Sequence, residues 1–361
     1  MYRLLLKKIC KSALCLILVA CTSPYKQPEI APADALFPGL ATIINSLPEN
    51  STLDVLSVHG MCSHDRKWVI EAGTQFSKHL GLHYAMPDEP LREVNGIEIW
   101  LNKLTDDSNQ LVVSNYALVW SGLTRGSKQA LCVDNSVASP SCPQPGFNGK
   151  RAKLNEELKS GLFNDCLSDA IIYLGDQGAI IREAMEAAII EVGRLRGTQP
   201  RPLVIISESL GSKLVADSVL PTTDAAHSQA LQSLGGTRMI FMAANQIPLL
   251  DLAQPEKKKL DQQGTSIQTL RRTLQTLSVM DIEDGAVKRD RAIYLIAFSD
   301  PNDLLSYELR EPVDRTTVNV RVSNSPTWLG LFENPEAAHT GYLERDEIWR
   351  LINCGVPDAC D

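Results

Sequence analysis

The sequence predicts an α/β fold in which a mostly parallel sheet carries helices on both faces. Aliphatic runs short enough for buried strands alternate along the chain with segments whose apolar residues recur at helical spacing. The clearest case is a strand predicted at 203–206, which a tight turn joins to an apolar helical segment at 210–220. No internal repeat and no second linker divides the 361 residues, so we expect one large domain after the N-terminal region.

In chain order, the predicted elements begin with a strand at 53–58 and a helix at 66–80. A mixed region and then a second buried strand at 116–120 follow. Residues 121–142 are rich in Gly, Ser, Pro and Cys, which predicts irregular structure within a cysteine-containing insertion at 121–168. Beyond the insertion we expect a helix at 178–192, strands at 238–244, 291–298 and 318–322, and a C-terminal helix at 346–353.

Residues 1–20 have the features of a bacterial export signal. A basic start precedes an apolar core at 13–20 that is too short for a permanent membrane span. The segment Leu18-Val19-Ala20-Cys21 resembles a lipobox, in which the cysteine becomes the acylated first residue. Thr22 follows where Asp would favour retention, so the resemblance implies lipid anchoring at Cys21 in the outer membrane of the cell envelope. An ordinary cleaved signal is the alternative.

The charge of the chain argues against a nucleic-acid partner. The formal net charge of −8 becomes −12 once the four basic residues of the leader are removed. No basic patch of the kind that binds phosphate backbones is present. No later run is long enough for a transmembrane helix, so membrane attachment would depend on the lipid. Residues 21–51 are proline-rich with little periodicity, and we expect them to form a flexible tether.

The cysteines point to an oxidising compartment. Two of the nine lie in the leader and Cys21 would carry the lipid, which leaves six in the mature domain. An even number in an exported protein suggests disulfides. The short-range choices are Cys354 with Cys360 and Cys132 with Cys142, which would leave Cys62 with Cys166. Other pairings stay open, because connectivity does not follow from spacing alone.

The turn at 207–211 is the strongest functional signal. Its pattern, Ser207-x-Ser209-x-Gly211, lies between a predicted strand and a predicted helix. Small residues at both ends let the strand and the helix pack closely while Ser209 stands at the apex, as in a nucleophile elbow. The alternative is an ordinary strand-to-helix turn.

A serine nucleophile needs a histidine to accept its proton and a carboxylate to orient that histidine. Of the six histidines, His339 follows the last predicted strand, where the chain order serine, acid, histidine places the base. Asp300 and Asp303 compete for the acid after the strand at 291–298. Asp303 precedes two aliphatic residues, whereas Asp300 precedes a proline and could cap the turn. His59 and His64 are the next candidates for the base.

These motifs resemble the α/β-hydrolase family over residues 52–361. The resemblance implies that Ser209 is the nucleophile, His339 the general base and Asp303 or Asp300 the orienting acid. It also implies an oxyanion hole made by the backbone N–H groups of Leu210 and Met61, the latter in the loop after His59-Gly60. Ser207 is a departure, since many members have glycine there. No cofactor is implied, and His59, Cys62 and His64 do not match a common zinc spacing.

The predicted function is hydrolysis of carboxylic esters through an acyl-enzyme. Esters are favoured over amides because exported members of the resembled family are commonly esterases or lipases. The expected partners are therefore a small-molecule or lipid ester and, through the anchor, a membrane. Three alternatives remain: acyl transfer to an alcohol with the same residues, a non-catalytic binding lipoprotein on the same fold, and a metallohydrolase.

Overall fold

A mixed sheet organises the computed structural model, which describes residues 28–139, 141–197, 201–219, 225–253, 266–280, 292–309, 316–327 and 331–360. Ten strands follow the order β1-β11-β10-β9-β8-β3-β7-β6-β4, with β5 paired to β6, and two more form a small separate sheet. The strands are β1 (Glu29–Ala31), β2 (Phe37–Pro38), β3 (Leu53–Val58), β4 (His83–Ala85), β5 (Arg92–Val94), β6 (Ile97–Thr105), β7 (Leu111–Val119), β8 (Leu203–Glu208), β9 (Thr237–Ala243), β10 (Tyr294–Ser299), β11 (Thr317–Arg321) and β12 (Gly355–Val356).

Helices cover both faces of this sheet. In the described ranges they are α1 (Leu40–Asn45), α2 (Arg66–Leu80), α3 (Gly122–Lys128), α4 (Lys153–Glu157), α5 (Ser168–Leu174), α6 (Gly178–Arg196), α7 (Leu210–Ser218), α8 (Ala225–Ser233), α9 (Ile247–Leu250), α10 (Ser266–Met280), α11 (Pro335–Thr340) and α12 (Asp346–Cys354). A π-helix, Leu158–Leu167, joins α4 to α5, and a 3-10 segment, Gln129–Asp134, follows α3. None of the helices in the described part of the chain has the length and apolar character that a membrane span requires.

The middle of the sheet is parallel, as predicted. Strands β11, β10, β9, β8, β3 and β7 all run in the same direction. Alternate residues of the central strands face two separate apolar layers. On β3, Leu56 packs in the layer that contains α6 and α7, while Val55 packs in the layer that contains α1, α2 and α12. Parallel strands end at one edge, so the loops after β3, β8, β9 and β10 meet there.

Residues 28–51 differ from the predicted tether. Strand β1 pairs antiparallel with β11, and β2 pairs with β12 near the C-terminus. Phe37 and Leu40 are buried against the sheet. A handful of scattered apolar residues is enough to bind this segment to the domain, although they show no period that a sequence pattern would reveal. Cys21 and the leader lie outside the described residues.

The region before and within the insertion is more regular than predicted. Strand β6 forms in the region predicted as mixed, and it pairs antiparallel with β7. Residues 121–142 were expected to be irregular, but they contain α3 and the 3-10 segment that follows it. The helix forms despite its glycines and serines because Thr124 and Lys128 are buried on one side of it. Tertiary packing here outweighs weak helix propensity.

The three predicted disulfides are confirmed. Cys62 bonds to Cys166, Cys132 to Cys142 and Cys354 to Cys360. The first joins the loop after β3 to the π-helix of the insertion, across 104 residues of sequence. It therefore connects the insertion to the edge of the sheet where the parallel strands end.

Candidate active site

The turn between β8 and α7 holds Ser209 in an unusual backbone conformation. Its φ of 47° and ψ of −122° lie outside the regions that residues with a side chain prefer. Such strain costs on the order of 1–3 kcal/mol and persists only where the surroundings enforce it. The Ser209 N–H donates to the carbonyl of Ala243 at 2.7 Å, which fixes the turn against β9. The strained turn lifts Ser209 to the edge of the sheet.

Two glycines make room for this turn. A Cβ on Gly211 would lie 2.4 Å from the carbonyl oxygen of His59, and a Cβ on Gly60 would lie 2.8 Å from Cβ of Ser209. The turn and the loop after β3 are therefore packed backbone against backbone. This explains why the pattern requires a glycine two residues after Ser209.

Gly211→Ala should destabilise the protein. The added methyl group meets main-chain atoms that cannot move aside, so we expect a loss of about 1–3 kcal/mol in the free energy of unfolding. Gly126→Ala is the matched control, because that exposed helical glycine has open space around it and alanine there should stabilise by about 0.5–1 kcal/mol. Urea denaturation measures both values. Equal effects of the two substitutions would contradict the packing described.

Ser209, His339 and Asp303 form a continuous hydrogen-bonded chain. The distance from Ser209 Oγ to His339 Nε2 is 2.9 Å, and His339 Nδ1 lies 2.9 and 3.0 Å from the two carboxylate oxygens of Asp303. A carboxylate beside Nδ1 places the proton on that nitrogen and leaves Nε2 to accept from the serine hydroxyl. All three side chains are buried. They come from the turn after β8, the loop after β10 and helix α11, which follows β11.

The structure distinguishes the two candidate aspartates. Asp303 faces His339 and accepts hydrogen bonds from the Leu305 N–H at 2.9 Å and the Tyr342 hydroxyl at 3.0 Å. Asp300 instead accepts from the N–H groups of Asn302 at 2.8 Å and Asn324 at 2.6 Å. Its carboxylate therefore stabilises the loop, and burial raises its pKa. Sequence reasoning allowed both arrangements.

Tyr342 is a site residue that sequence reasoning missed. Its hydroxyl accepts from the Asp300 N–H at 2.6 Å and donates to Asp303 at 3.0 Å. Burial raises the pKa of Tyr342 well above its ordinary value, so the hydroxyl stays a neutral donor. Tyr342 lies three residues after His339 in the sequence, and its contact with Asp303 depends on how the two loops pack in the fold.

His59 supports the loop that contains Met61. Its Nδ1 donates to the carbonyl of Gly60 at 2.8 Å, and its Nε2 accepts from the Trp120 N–H at 3.0 Å. The ring stacks on the Trp120 indole at 5.0 Å between centroids. Burial, together with the nearby His64, lowers the pKa of His59 well below its ordinary value, so the ring is neutral. Both ring nitrogens are occupied, which leaves neither free to act on Ser209.

The predicted oxyanion donors are the backbone N–H groups of Leu210 and Met61. Leu210 is the first residue of α7, so its N–H has no acceptor within the helix. Met61 follows Gly60, which packs against Ser209. His64 Nε2 lies 3.0 Å from the Met61 carbonyl and supports the same loop. Both predicted donors are therefore in backbone segments next to Ser209.

Residues of the insertion at 121–168 bind the loop after β3 through a disulfide and hydrogen bonds. The Cys62 N–H donates to Asp169 at 2.9 Å, beside the disulfide to Cys166, and buried Lys128 lies 2.7 Å from the same carboxylate. Ser63 donates to Asp165 through both its N–H and its hydroxyl, at 3.0 and 2.6 Å. Burial raises the pKa of Asp169 to about 6, although Lys128 opposes the shift. The loop after β3 is thus held by a covalent bond and buried charged groups.

The side chains of His59, Cys62 and His64, which could be considered as zinc ligands, are all bonded within the protein. Cys62 is in a disulfide, and the rings of His59 and His64 bond to main-chain atoms. Within the described ranges, potential metal-ligand atoms also converge at Cys354, Asp358 and Cys360, but both sulfurs there form a disulfide. These residues are therefore poorly suited to hold a metal.

Gln246 is a second residue that the sequence did not reveal as part of the site. Its Nε2 lies 3.3 Å from His339 Nε2 and 3.8 Å from the Met61 sulfur. The side chain is only 1% exposed, and its Oε1 is buried without a hydrogen-bond partner among the described residues. Its position directly after β9, at the edge where ligands bind in such sheets, is the signal that could have found it.

Glu208 precedes the serine and should make stability depend on pH. Its carboxylate accepts from Trp68 Nε1 at 2.7 Å, and burial raises its pKa from 4.5 to about 7. The folded protein therefore holds this proton at pH values where the unfolded chain has lost it. Between pH 4.5 and 7, the contribution of Glu208 to the free energy of unfolding therefore falls as pH rises.

We expect Glu208→Gln to remove this part of the pH dependence. The variant should match wild type near pH 4.5, become progressively more stable than wild type between pH 4.5 and 7, and keep a constant advantage above pH 7. Urea unfolding followed by circular dichroism measures the difference, and Glu93→Gln on β5 is a control with an exposed glutamate. Parallel curves for wild type and Glu208→Gln would disprove the coupling.

Comparisons with known proteins found no relative of this chain. No protein-family model matches the chain, and no similar curated protein or solved structure was found. The site is therefore interpreted from its own distances, burial and hydrogen bonds.

Proposed function

We propose that this protein is a serine hydrolase with an α/β-hydrolase fold that cleaves carboxylic esters through an acyl-enzyme. The observation that carries the proposal is the buried hydrogen-bonded chain from Ser209 through His339 to Asp303. It begins at a serine with positive φ between a strand and a helix, which is the arrangement of a nucleophile elbow. A turn that merely connected two elements would need neither the strain nor the chain.

The fold supports the same proposal. Ser209, Asp303 and His339 occur in the chain order of α/β-hydrolases, and each lies at the carboxyl edge of a parallel strand or in the segment that follows one. The loop after β3 packs against Ser209 at the same edge, and α/β-hydrolases take one oxyanion N–H from the loop at this position. These are independent features of the chain, and they converge on one place.

Acylation follows from the geometry. Ser209 Oγ attacks the ester carbonyl carbon while its proton moves to His339 Nε2. Asp303 stabilises the imidazolium that forms, and Tyr342 and the Leu305 N–H keep its carboxylate in place. The N–H groups of Leu210 and Met61 would stabilise the oxyanion, typically by about 3 kcal/mol per donor. Collapse of the intermediate breaks the ester C–O bond, and His339 returns the proton to the leaving alcohol.

A fluorophosphonate probe tests the proposal. Wild type should be labelled on Ser209, and Ser209→Ala should not be labelled. Ser212→Ala is the matched control, because this buried serine lies on α7 and bonds to Ser207 at 2.9 Å instead of to His339. That variant should label like wild type. Equal labelling of wild type and Ser209→Ala, or labelling of neither, would refute the enzyme proposal.

We further infer that the protein is exported and anchored to the cell envelope by a lipid on Cys21. The leader and the lipobox-like segment support this inference from the sequence. The three disulfides agree with an oxidising compartment. Incorporation of a labelled fatty acid into wild type, but not into Cys21→Ser, is the direct measurement.

A further inference from the structure

The two polar atoms of the Gln246 side chain differ in their surroundings: one contacts His339, and the other has no hydrogen-bond partner among the described residues. Nε2 of its carboxamide lies 3.3 Å from His339 Nε2, while Oε1 is buried and unbonded among the described residues. A buried polar atom left unpaired costs about 1–3 kcal/mol. Gln246 is held on a turn whose neighbour, Asn245, is itself fixed by hydrogen bonds to Tyr307 at 2.8 Å. This loop therefore carries an unused acceptor on a side chain that contacts His339.

The position of this acceptor suits the second half of an acyl-enzyme reaction. Oε1 lies within about 2.3 Å of Nε2 because both atoms are bonded to one carbon. It is therefore at most about 5.6 Å from His339 Nε2. One water molecule spans that distance with two hydrogen bonds of about 2.8 Å each. In the acyl-enzyme Ser209 Oγ has lost its proton to the leaving group, so His339 Nε2 is free to accept from that water.

We propose that Gln246 selects water as the acyl acceptor; this rests on the proposed function. Water has two O–H groups, and it donates one to His339 Nε2 and the other to Gln246 Oε1. An alcohol has a single O–H, which it must give to His339 in order to attack. It therefore leaves Gln246 Oε1 unsatisfied, and this unpaired acceptor disfavours acyl transfer relative to hydrolysis.

The step balances as an ordinary deacylation. The water oxygen forms a bond to the acyl carbon as His339 Nε2 takes its proton. The tetrahedral intermediate then breaks its bond to Ser209 Oγ, and the same proton passes from Nε2 to Oγ. The products are a carboxylic acid and the free serine. Gln246 exchanges no proton, and it acts by fixing where the water sits.

The test compares water with methanol as acceptors of one acyl group. A p-nitrophenyl ester suits it, because p-nitrophenolate leaves without needing a proton and acylation then involves no water that Gln246 Oε1 could bind. Single turnovers with excess enzyme separate the two steps. Release of p-nitrophenol reports acylation, and decay of the acyl-adduct mass in quenched protein reports deacylation. Methyl ester and free acid are then quantified in added methanol.

Gln246→Met removes both polar atoms at similar length. Loss of Nε2 beside His339 should affect acylation, hydrolysis and attack by methanol alike. Beyond that common change, we expect hydrolysis to fall about tenfold relative to the other two rates, the loss typical of one hydrogen bond. The ratio of methyl ester to acid should therefore rise about tenfold. Gln246→Glu keeps an acceptor oxygen at the same reach, and it should retain a product ratio nearer to wild type.

Two results would overturn the inference. One is an unchanged product ratio in Gln246→Met, whether both rates fall together or neither changes, since a purely structural role affects both acceptors alike. The other is the same ratio in Gln246→Glu as in Gln246→Met. Failure of the proposed function looks different, because wild type would then form no acyl adduct at all.

Discussion

His339→Ala should lower kcat for a short-chain ester by a factor of about 10⁶, which is the size of effect seen when the histidine of a serine hydrolase is removed. Without an acceptor 2.9 Å from Ser209 Oγ, the hydroxyl cannot lose its proton as it attacks. His59 cannot substitute, because its Nδ1 is bonded to the Gly60 carbonyl and its Nε2 to the Trp120 N–H. Nε2 of His64 is bonded to the Met61 carbonyl. We therefore expect almost no residual turnover.

The kinetic measurement needs a matched control and a check of folding. His83→Ala changes an exposed histidine on β4 and should leave kcat within about twofold of wild type. Circular dichroism and thermal unfolding of His339→Ala establish that the loss is not caused by unfolding. Substantial activity in a folded His339→Ala protein would place the general base elsewhere and remove the basis of the mechanism.

Asp303→Asn should lower kcat by about 10⁴, whereas Asp300→Asn should lower it less than tenfold. A neutral amide in place of the Asp303 carboxylate would no longer stabilise the imidazolium, and its NH₂ group can turn His339 into the wrong tautomer. Asp300 has no contact with His339 in the described structure, and its carboxylate caps the backbone of Asn302 and Asn324. The paired substitutions use the same chemical change three residues apart.

The two variants should separate in stability as well as in rate. Asp300→Asn replaces one of two acceptor oxygens with a donor that faces a backbone N–H, so we expect a loss of about 1–3 kcal/mol in unfolding free energy. Urea denaturation measures this value beside the kinetics. A larger kinetic effect at Asp300 than at Asp303 would contradict the hydrogen-bond pattern of the site.

The site residues were predictable where strand order determines their position. Ser209 and Asp303 follow predicted strands, and His339 lies in the segment after the last one. Parallel strands bring such segments to one edge whatever their separation in sequence. The choice of Asp303 over Asp300 had to wait for the structure, because both lie in the same loop and only side-chain direction separates them.

Other features could not be predicted from pattern. Tyr342 and Gln246 matter because of where their side chains point across neighbouring loops, and no periodicity encodes that direction. Strand β6 lies toward one end of the sheet and includes exposed and half-buried positions. Its sequence therefore combines apolar and polar residues without the continuous apolar run that predicts a buried strand. The segment 28–51 packs through isolated apolar residues such as Phe37 and Leu40. Tertiary contacts, and not local preference, determine these elements.

The disulfide between Cys62 and Cys166 links the timing of loop formation to the redox state of the compartment. It secures the loop of Met61 from outside, and thiols in the bacterial cytosol are kept reduced. If the protein is exported as proposed, a newly made chain that has not yet crossed the inner membrane would lack this bond. If the proposed function is also right, secretion would then complete the covalent support of the loop beside the nucleophile.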